Sequence, residues 1–526
     1  MESIEFKHSI DISSAGKNCA LRMGDIDGDG RLEFVLATPA SVSDERYFDS
    51  KVAAISAFSA TGELLWQTGE AAEGATSNGD LPIQIYDIDK DGKNEVIAVI
   101  EDTLSVFDGK TGEIKKSIPL PDKNIGGALL IADLEGSGYA QNIVLKNKFS
   151  KLWALDASLN VVWDFEGNIG RAPIAYDLDG DGREEIIAGY NVISPTGELL
   201  WNINAPHHAY SAIVERLFDD TPIILIYGPF IRAYTFTGEF LWEIPEASQN
   251  IAIGKFRDNV DSLDILNLDR LSLYDSNGSF LYEKNETIYL PMPVLNFDKT
   301  ERTYIAGHKK EDICTTLYDG YMRGVYTLPG FGKLASCDIL GTGESQIIVY
   351  NDDTLDIYSF SQIDLTAPAR PYSRPQSTKD FRVSIYNTLP ASQISAGFVI
   401  EDFAAQNIVK WANAYAETNM YNRFAKVSRS EFVLLLATLL NLKEEFSEIF
   451  RDVSKESAYY DACGTFRKLE IVACEDNLFL PENTITVSEA NSILDKLSIP
   501  INFNFDEKYE ISKQDMARLI LNITDN

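Results

Sequence analysis

Asp25-Ile-Asp-Gly-Asp-Gly30 leads through Arg31 into Glu33-Phe-Val-Leu-Ala37, an acidic Gly-turned loop followed at once by a short apolar run. Alternate carboxylates on a turn, then a run short enough for a buried strand, predict a loop–strand unit. The unit returns as Asp87-Ile-Asp-Lys-Asp-Gly92 and Asp177-Leu-Asp-Gly-Asp-Gly182, and in degenerate form from Asp133 (DLEGSG) and Asp338 (DILGTG). The following strands open at Glu33, Glu95, Gln141, Glu185 and Gln346, and similar runs start near Pro222, Asp264 and Thr303. Successive separations of about 62, 46, 44, 37, 42, 39 and 43 residues match four-stranded propeller blades. Eight units are expected.

A second signal shares the period. Hairpin turns recur as Thr61-Gly-Glu-Leu-Leu-Trp66, Thr196-Gly-Glu-Leu-Leu-Trp201 and Thr237-Gly-Glu-Phe-Leu-Trp242, with weaker copies at Thr111-Gly112, Leu159-Asn160, Asn277-Gly278 and near Gly324. Gly permits the positive φ of a tight hairpin, and the apolar-aromatic run after it reads as an outer strand. Trp66, Trp163, Trp201 and Trp242 then fall at blade spacing, where packing between blades is expected of them. The eighth unit ends near Phe360 without such a turn. The period-two alternation of Ile4 to Ile12 can supply its missing strand and cover the open edge.

Beyond Phe360 the texture changes. Pro368, Pro371 and Pro375 among polar residues read as an extended linker, and helical periodicity follows over 403–418, 430–442, 459–472, 488–497 and 513–523. Ser428 and Ser488 stand where N-caps belong, with Glu431 placed to complete a capping box. The expected fold is mainly β: an eight-bladed β-propeller (1–362), a Pro-containing linker (363–398) and a small all-α domain (399–526).

Of the 526 residues, 80 are acidic and 46 are Lys or Arg, a formal net charge of −34. That balance excludes a nucleic-acid binder and opposes docking on anionic lipid, since both need basic surface. The longest apolar run, Phe432 to Leu442, is far short of the roughly 20 residues that cross a bilayer, so no membrane insertion is expected. Met1 to Ile10 lack the apolar core of a signal peptide. An extracellular or wall-associated place is expected if an export signal has been removed, and a cytoplasmic one otherwise. Five cysteines with no C-x-x-C pair read as buried free thiols.

The acidic loops carry the strongest chemistry. A hard dication such as Ca²⁺ takes several oxygen ligands, and alternate aspartates on a tight loop converge on one point. Positions 1, 3 and 5 are Asp25, Asp27 and Asp29; Asp87, Asp89 and Asp91; and Asp177, Asp179 and Asp181. Position 7 (Arg31, Lys93, Arg183) can lend only its backbone carbonyl, while position 9 is Glu33, Glu95 or Glu185. An EF-hand would need Glu at position 12, where Leu36, Ala98 and Ala188 stand, and helical flanks in place of strands. The other two loops keep too few carboxylates for a cage. Three structural Ca²⁺ sites are expected.

Connections leading into the looped strands should emerge on the opposite face. They carry Asn124, Asn168, Arg171, His207, His208, Gln249, Asn250, Tyr289 and Lys333, a polar set suited to a saccharide.

The calcium loops resemble the FG-GAP repeats of integrin-like propellers. Together with the Thr-Gly-Glu-Leu-Leu-Trp turns, the eight repeats and the closing segment Asp338 to Asn351, they resemble rhamnogalacturonan lyases over roughly residues 15–365. The resemblance implies a calcium-dependent eight-bladed propeller that cleaves an acidic polysaccharide or oligosaccharide by β-elimination; the alternative is a glycan-binding or surface-adhesion propeller without turnover. Elimination needs a cation to neutralise the uronate, a base for the C5 proton and an acid or water for the leaving oxygen. Arg171 or a Ca²⁺ would neutralise, His207 or His208 would be base, and Lys333 or Tyr289 would assist, with Asn168, Gln249, Asn250 and Tyr289 binding substrate. Where the family places histidine, before the third calcium repeat and two blades later, this sequence has Gly170-Arg171 and Gln249-Asn250.

The helical tail resembles S-layer homology modules, through Ser428-Arg-Ser-Glu-Phe432, Phe450-Arg-Asp-Val453, Tyr459-Tyr-Asp461 and Leu469-Glu-Ile-Val472. That likeness implies a secondary cell-wall polymer as partner, contacted through Arg429 and Asp452.

Overall fold

The computed structural model describes residues 2–361 and 426–524, less short stretches that include 30–31, 42–47, 76–79, 258–262, 310–313, 338–344 and 473–476. Arg31, most of the Asp338 loop, the linker at 363–398 and the helix expected at 403–418 therefore lie outside the described residues. The chain divides into two compact units, Met1–Ala396 and Gly397–Asn526.

The first unit is built of β-strands in antiparallel groups of four. The first group is Ala20–Gly24, Glu33–Pro39, Val52–Phe58 and Leu64–Gly69; the second is Ile83–Tyr86, Glu95–Ile100, Thr103–Asp108 and Ile114–Pro119. Val52 pairs with Ile100 and joins these two groups into one sheet. Groups three to seven span 129–166, 174–202, 211–244, 251–283 and 289–329. The eighth has three strands of its own, Lys333–Cys337, Gln346–Tyr350 and Thr354–Tyr358. Its fourth is His8–Asp11, antiparallel with Ile10 opposite Leu355, so the alternating N-terminal stretch does cover that edge.

Within each group the second strand is buried along its length, but for Ile100 at the end of the second, while the outer strand is largely exposed. Burial on both faces requires a neighbour on each side, and the cores lie between consecutive groups. Ile26, Val35 and Ile55 of the first pack with Ile83, Val96 and Phe107 of the second. Leu225 and Ile231 of the fifth meet Ile253 and Ile265 of the sixth. Ile348 and Leu355 of the eighth pack with Phe34 and Leu36 of the first.

The outer hairpins are tied from group to group. Trp66, Trp163 and Trp201 donate their indole N–H to Gly109, Pro195 and Phe236 carbonyls in the next group's outer turn, at 2.7, 2.9 and 2.9 Å. The glycine of that turn lies flat on the indole. A Cβ on Gly197, whose φ is +88°, would stand 2.8 Å from Trp163. These tryptophans are packing residues between groups, as their spacing predicts.

The second unit holds the helices Arg429–Leu439, Tyr460–Lys468, Val487–Lys496 and Lys513–Thr524. Ser428 caps the first with the expected Glu431 box. At the third, Thr486 and not Ser488 is the N-cap: its hydroxyl takes the Glu489 N–H and Glu489 reaches back to the Thr486 N–H at 3.0 Å, which leaves Ser488 in the first turn. Three stretches ahead of helices, 426–428, 484–486 and 510–512, pair with one another. The N–H of Val427 goes to Ile511, that of Ile511 to Ile485, and that of Ile485 to Val427, at 2.8, 3.0 and 2.9 Å. All three side chains are buried.

Candidate functional site

The acidic loops sit between the first and second strands of groups one, two and four. Asp25, Asp27 and Asp29 bring carboxylate oxygens within 4.8 Å of one another, as do Asp87, Asp89 and Glu95, and Asp177, Asp179 and Glu185. The turn is made by the loop itself: Asp177 accepts the N–H groups of Gly180 and Gly182 at 2.8 and 3.1 Å. Gly182 has φ +89°, a conformation side-chain-bearing residues rarely take. Asp91 and Asp181 accept the N–H of Lys93 and Arg183 at 2.9 and 2.8 Å.

Each loop's glutamate opens the second strand and is buried. One of its oxygens accepts an N–H seven residues back: Ile26 to Glu33, Ile88 to Glu95 and Leu178 to Glu185, at 2.9, 3.0 and 2.9 Å. Burial, with Asp27, Asp25 and Asp29 adding to it, pushes Glu33 up to about 8. Burial, then Asp89, takes Glu95 to about 7 against the opposing pull of Lys115. Glu185 also rises to about 7, through burial and the three aspartates of its loop. Hard oxygen donors held together against their own repulsion fit a hard dication, which would relieve that repulsion.

In group three the loop is one residue longer. Asn142, not Gln141, opens the strand and accepts the Leu134 N–H at 3.1 Å, while Gln141 donates to the Ile88 carbonyl. Asp133 accepts Gly136 and Ser137 N–H groups, so a closed turn persists there. In group six Asp264 opens the strand and is held by both Nε and Nη2 of Arg257, at 2.9 and 2.7 Å.

At the other ends of these strands, a loop of group one, a hairpin of group three and the connections after groups three and four converge. Asn168 donates through Nδ2 to the His207 carbonyl at 2.9 Å, and its Oδ1 lies 2.5 Å from His208 Nδ1. A carbonyl can only accept, so the amide nitrogen must face His207 and the amide oxygen must face His208. The proton of His208 therefore sits on Nδ1, and Nε2 keeps its lone pair. Phe149 stacks on the imidazole with centroids 4.2 Å apart. Burial, then Arg171 and His207, lowers the His208 pKa, so the ring is neutral at pH 7. Arg171 lies over the Tyr210 ring at 4.3 Å.

Asp49, Lys146 and Lys148 also belong to this region, and no loop motif singles them out. Asp49 takes Lys146 at 3.1 Å and Lys148 at 2.8 Å. Burial opposes ionisation of Asp49, but the two ammonium groups outweigh it and hold the carboxyl below its usual range. The only signal in the sequence is Lys146-Asn-Lys148 at a hairpin.

The remaining candidates are placed elsewhere. Lys333 donates to the Asn18 and Cys19 carbonyls at 3.0 and 2.9 Å, in the contact of group eight with group one. Gln249 gives its backbone N–H to Asp269, and Asn250 uses its carbonyl to accept Ser248 and Leu268. Tyr289 is exposed at the start of group seven's first strand. In the helical unit Arg429 and Asp452 grip one segment: Arg429 donates to the Phe479 carbonyl and pairs with Glu489, and Asp452 accepts the N–H groups of Phe479 and Leu480 at 2.8 and 2.7 Å.

No family model matches the chain. Among curated proteins it is 26% identical over 247 residues to the rhamnogalacturonan endolyase YesW of Bacillus subtilis (strain 168), a match covering 35% of this chain and 39% of that one. It is 22% identical over 244 residues to the exolyase YesX of the same organism, covering 35% and 40%. The chain is similar to rhamnogalacturonan lyases. These matches span about two-fifths of the lyases' own length. Among solved structures, exotype rhamnogalacturonan lyase YesX shares the fold at TM-score 0.50 and 17% identity, over 73% of this chain and 81% of that one. The Bacillus licheniformis rhamnogalacturonan lyase PL11 does so at 0.50 and 17%, over 71% and 77%.

Proposed function

We propose that residues 1–362 form an eight-bladed β-propeller, stiffened by calcium in three loops, that acts as a polysaccharide lyase on an acidic glycan of the rhamnogalacturonan kind. Eight four-stranded groups, cores between consecutive groups, and a strand from the N-terminus in the eighth support the propeller. Similarity to the two lyases supports the substrate class. Calcium would be held by Asp25, Asp27, Asp29 and Glu33, by Asp87, Asp89, Asp91 and Glu95, and by Asp177, Asp179, Asp181 and Glu185. When bound it supplies charge neutralisation that fixes each turn.

The observation that carries the enzyme reading is the His208–Asn168 pair beside Arg171. Arg171 neutralises the uronate carboxylate and so makes the C5 proton acidic enough to leave. Neutral His208 takes that proton on Nε2. The C4–O bond breaks as the C4=C5 bond forms, and the leaving oxygen takes a proton from water. Incubation with rhamnogalacturonan should raise the ultraviolet absorbance of the unsaturated product, and His208→Ala should abolish the rise. Glycan binding without any absorbance change in the parent protein would replace the lyase by the non-catalytic binding propeller.

The helical unit is, on this reading, an S-layer homology-like anchor. Its three paired N-cap stretches repeat one design, and Arg429 with Asp452 shapes the segment 477–480 next to exposed Leu478 and Leu480. Co-sedimentation with Gram-positive wall sacculi carrying their secondary polymer tests it; protein left wholly in the supernatant overturns the anchor.

A further inference from the structure

The outer strand of seven groups carries a β-bulge just after its hairpin turn, where one residue is left without a partner across the ladder. The registers identify that residue as Leu65, Lys115, Val162, Leu200, Leu241, Leu281 and Val325 in chain order. Six are aliphatic, so among the described bulges Lys115 is the single cation.

Its side chain is committed. Lys115 Nζ lies 2.7 Å from Asp89 Oδ2, 2.7 Å from Glu95 Oε1 and 3.5 Å from Asp91 Oδ2. Asp89 and Glu95 belong to the convergent carboxylate trio of the second acidic loop. The ammonium thus stands among the donors a dication would need. Loops one and four, with Leu65 and Leu200 at the bulge, have no lysine there.

Group six shows the same substitution taken further. Its aspartate at the strand opening, Asp264, is neutralised by the Arg257 guanidinium. Among the described residues the repeats therefore show three arrangements around the strand-opening acid: a carboxylate group with an aliphatic residue at the bulge, one with Lys115 at the bulge, and a single aspartate held by an arginine.

We propose that Lys115 is the resident counter-ion of the second loop. That loop then keeps its turn without a divalent cation, and takes one up only by displacing the ammonium, with lower affinity than the loop at Asp177, whose bulge residue is Leu200. Displacement rests on the calcium reading above; the counter-ion role does not. A tethered monovalent charge competes with every incoming cation and is always present at high local concentration, but it satisfies three carboxylates less fully than a dication does.

Equilibrium dialysis with calcium tests the displacement, with Lys115→Met keeping the length and apolar stem of the side chain. The parent should show unequal sites, and Lys115→Met should tighten the weaker class by about ten-fold or more. Three equal sites in the parent, or an unchanged weak site in Lys115→Met, would overturn displacement. Thermal melts in excess chelator test the counter-ion role without any metal. There Lys115→Met should melt below the parent, while Lys116→Met, which removes the same charge one residue on, should not. Equal melting of parent and Lys115→Met in chelator overturns the proposal. If neither protein binds calcium, the calcium reading and the displacement fall together, and the chelator melt still decides whether Lys115 holds the loop.

Discussion

A histidine is useful as a base only if one nitrogen is committed and the other is not. Asn168 sets that commitment for His208, because its own amide is oriented by a backbone carbonyl that can only accept. On the lyase reading the active form is the neutral ring, so activity should climb with pH through a midpoint below the ordinary imidazole value of 6.5, since burial, Arg171 and His207 lower it. Asn168→Asp places a carboxylate against the same nitrogen, stabilises the imidazolium and should move that midpoint upward by about one pH unit. A pH–rate profile of the two proteins on rhamnogalacturonan checks this; an unmoved limb would remove Asn168 from the proton's environment. The residues of this cluster were only half legible in the sequence. Asn168, Arg171, His207 and His208 fall in two connections that a repeat alignment brings side by side. Asp49, Lys146, Lys148 and Phe149 come from loops that share no motif with them, and only the folded stack of groups makes them neighbours. Lys333 shows the converse: a cation in a connection of the right kind, spent on two backbone carbonyls.

At the scale of elements, the repeated turn and the repeated tryptophan are two halves of one contact. Both were visible as periodic signals, yet their meeting was not, because each tryptophan touches the turn of the next group and not its own. Gly197→Ala should cost about 1–3 kcal/mol, since the new methyl must push Trp163 aside and the residue must hold φ +88°. Denaturant unfolding measures it. An alanine variant as stable as the parent would mean that the indole can shift without loss. The helix ends tell a similar story: Ser428 was readable as a cap from its Glu431 partner, whereas Ser488 was a false start because Thr486 stands three residues before Glu489 and makes the better box.

For the molecule as a whole, the charge balance acquires a structure. Twelve of its 80 acidic residues lie in the three intact loops, and the buried glutamate of each is pushed above its ordinary range. The folded pKa of Glu33, about 8, lies above its ordinary value of 4.5, and Glu95 and Glu185 stand at about 7. A carboxyl raised on folding favours the folded state while it is protonated. Metal-free protein should therefore be most stable near and below pH 4.5 as far as these groups decide, and lose that contribution as pH rises toward 7 and 8. Calcium should flatten the decline, because it neutralises the same oxygens. Melting temperatures across that range, with calcium and with chelator, give the comparison. Parallel curves would show that no cation enters the loops. The remaining acidity is spread widely, and against it Lys146, Lys148 and Arg171 outnumber Asp49 in one place, a local excess of positive charge that would receive an anionic glycan on the lyase reading.

The donor cycle through Val427, Ile511 and Ile485 has a consequence of its own. A row of strands has two ends, and each end can recruit another chain; a circuit in which every member gives one N–H and takes one has none. The helical unit is therefore self-limiting. A fourth copy of the design could enter only by breaking one link of the circuit, and dropping one copy breaks two. Its boundary is set by counting to three, and a fragment that stops before residue 510 is left with two open edges and no partner of its own to close them.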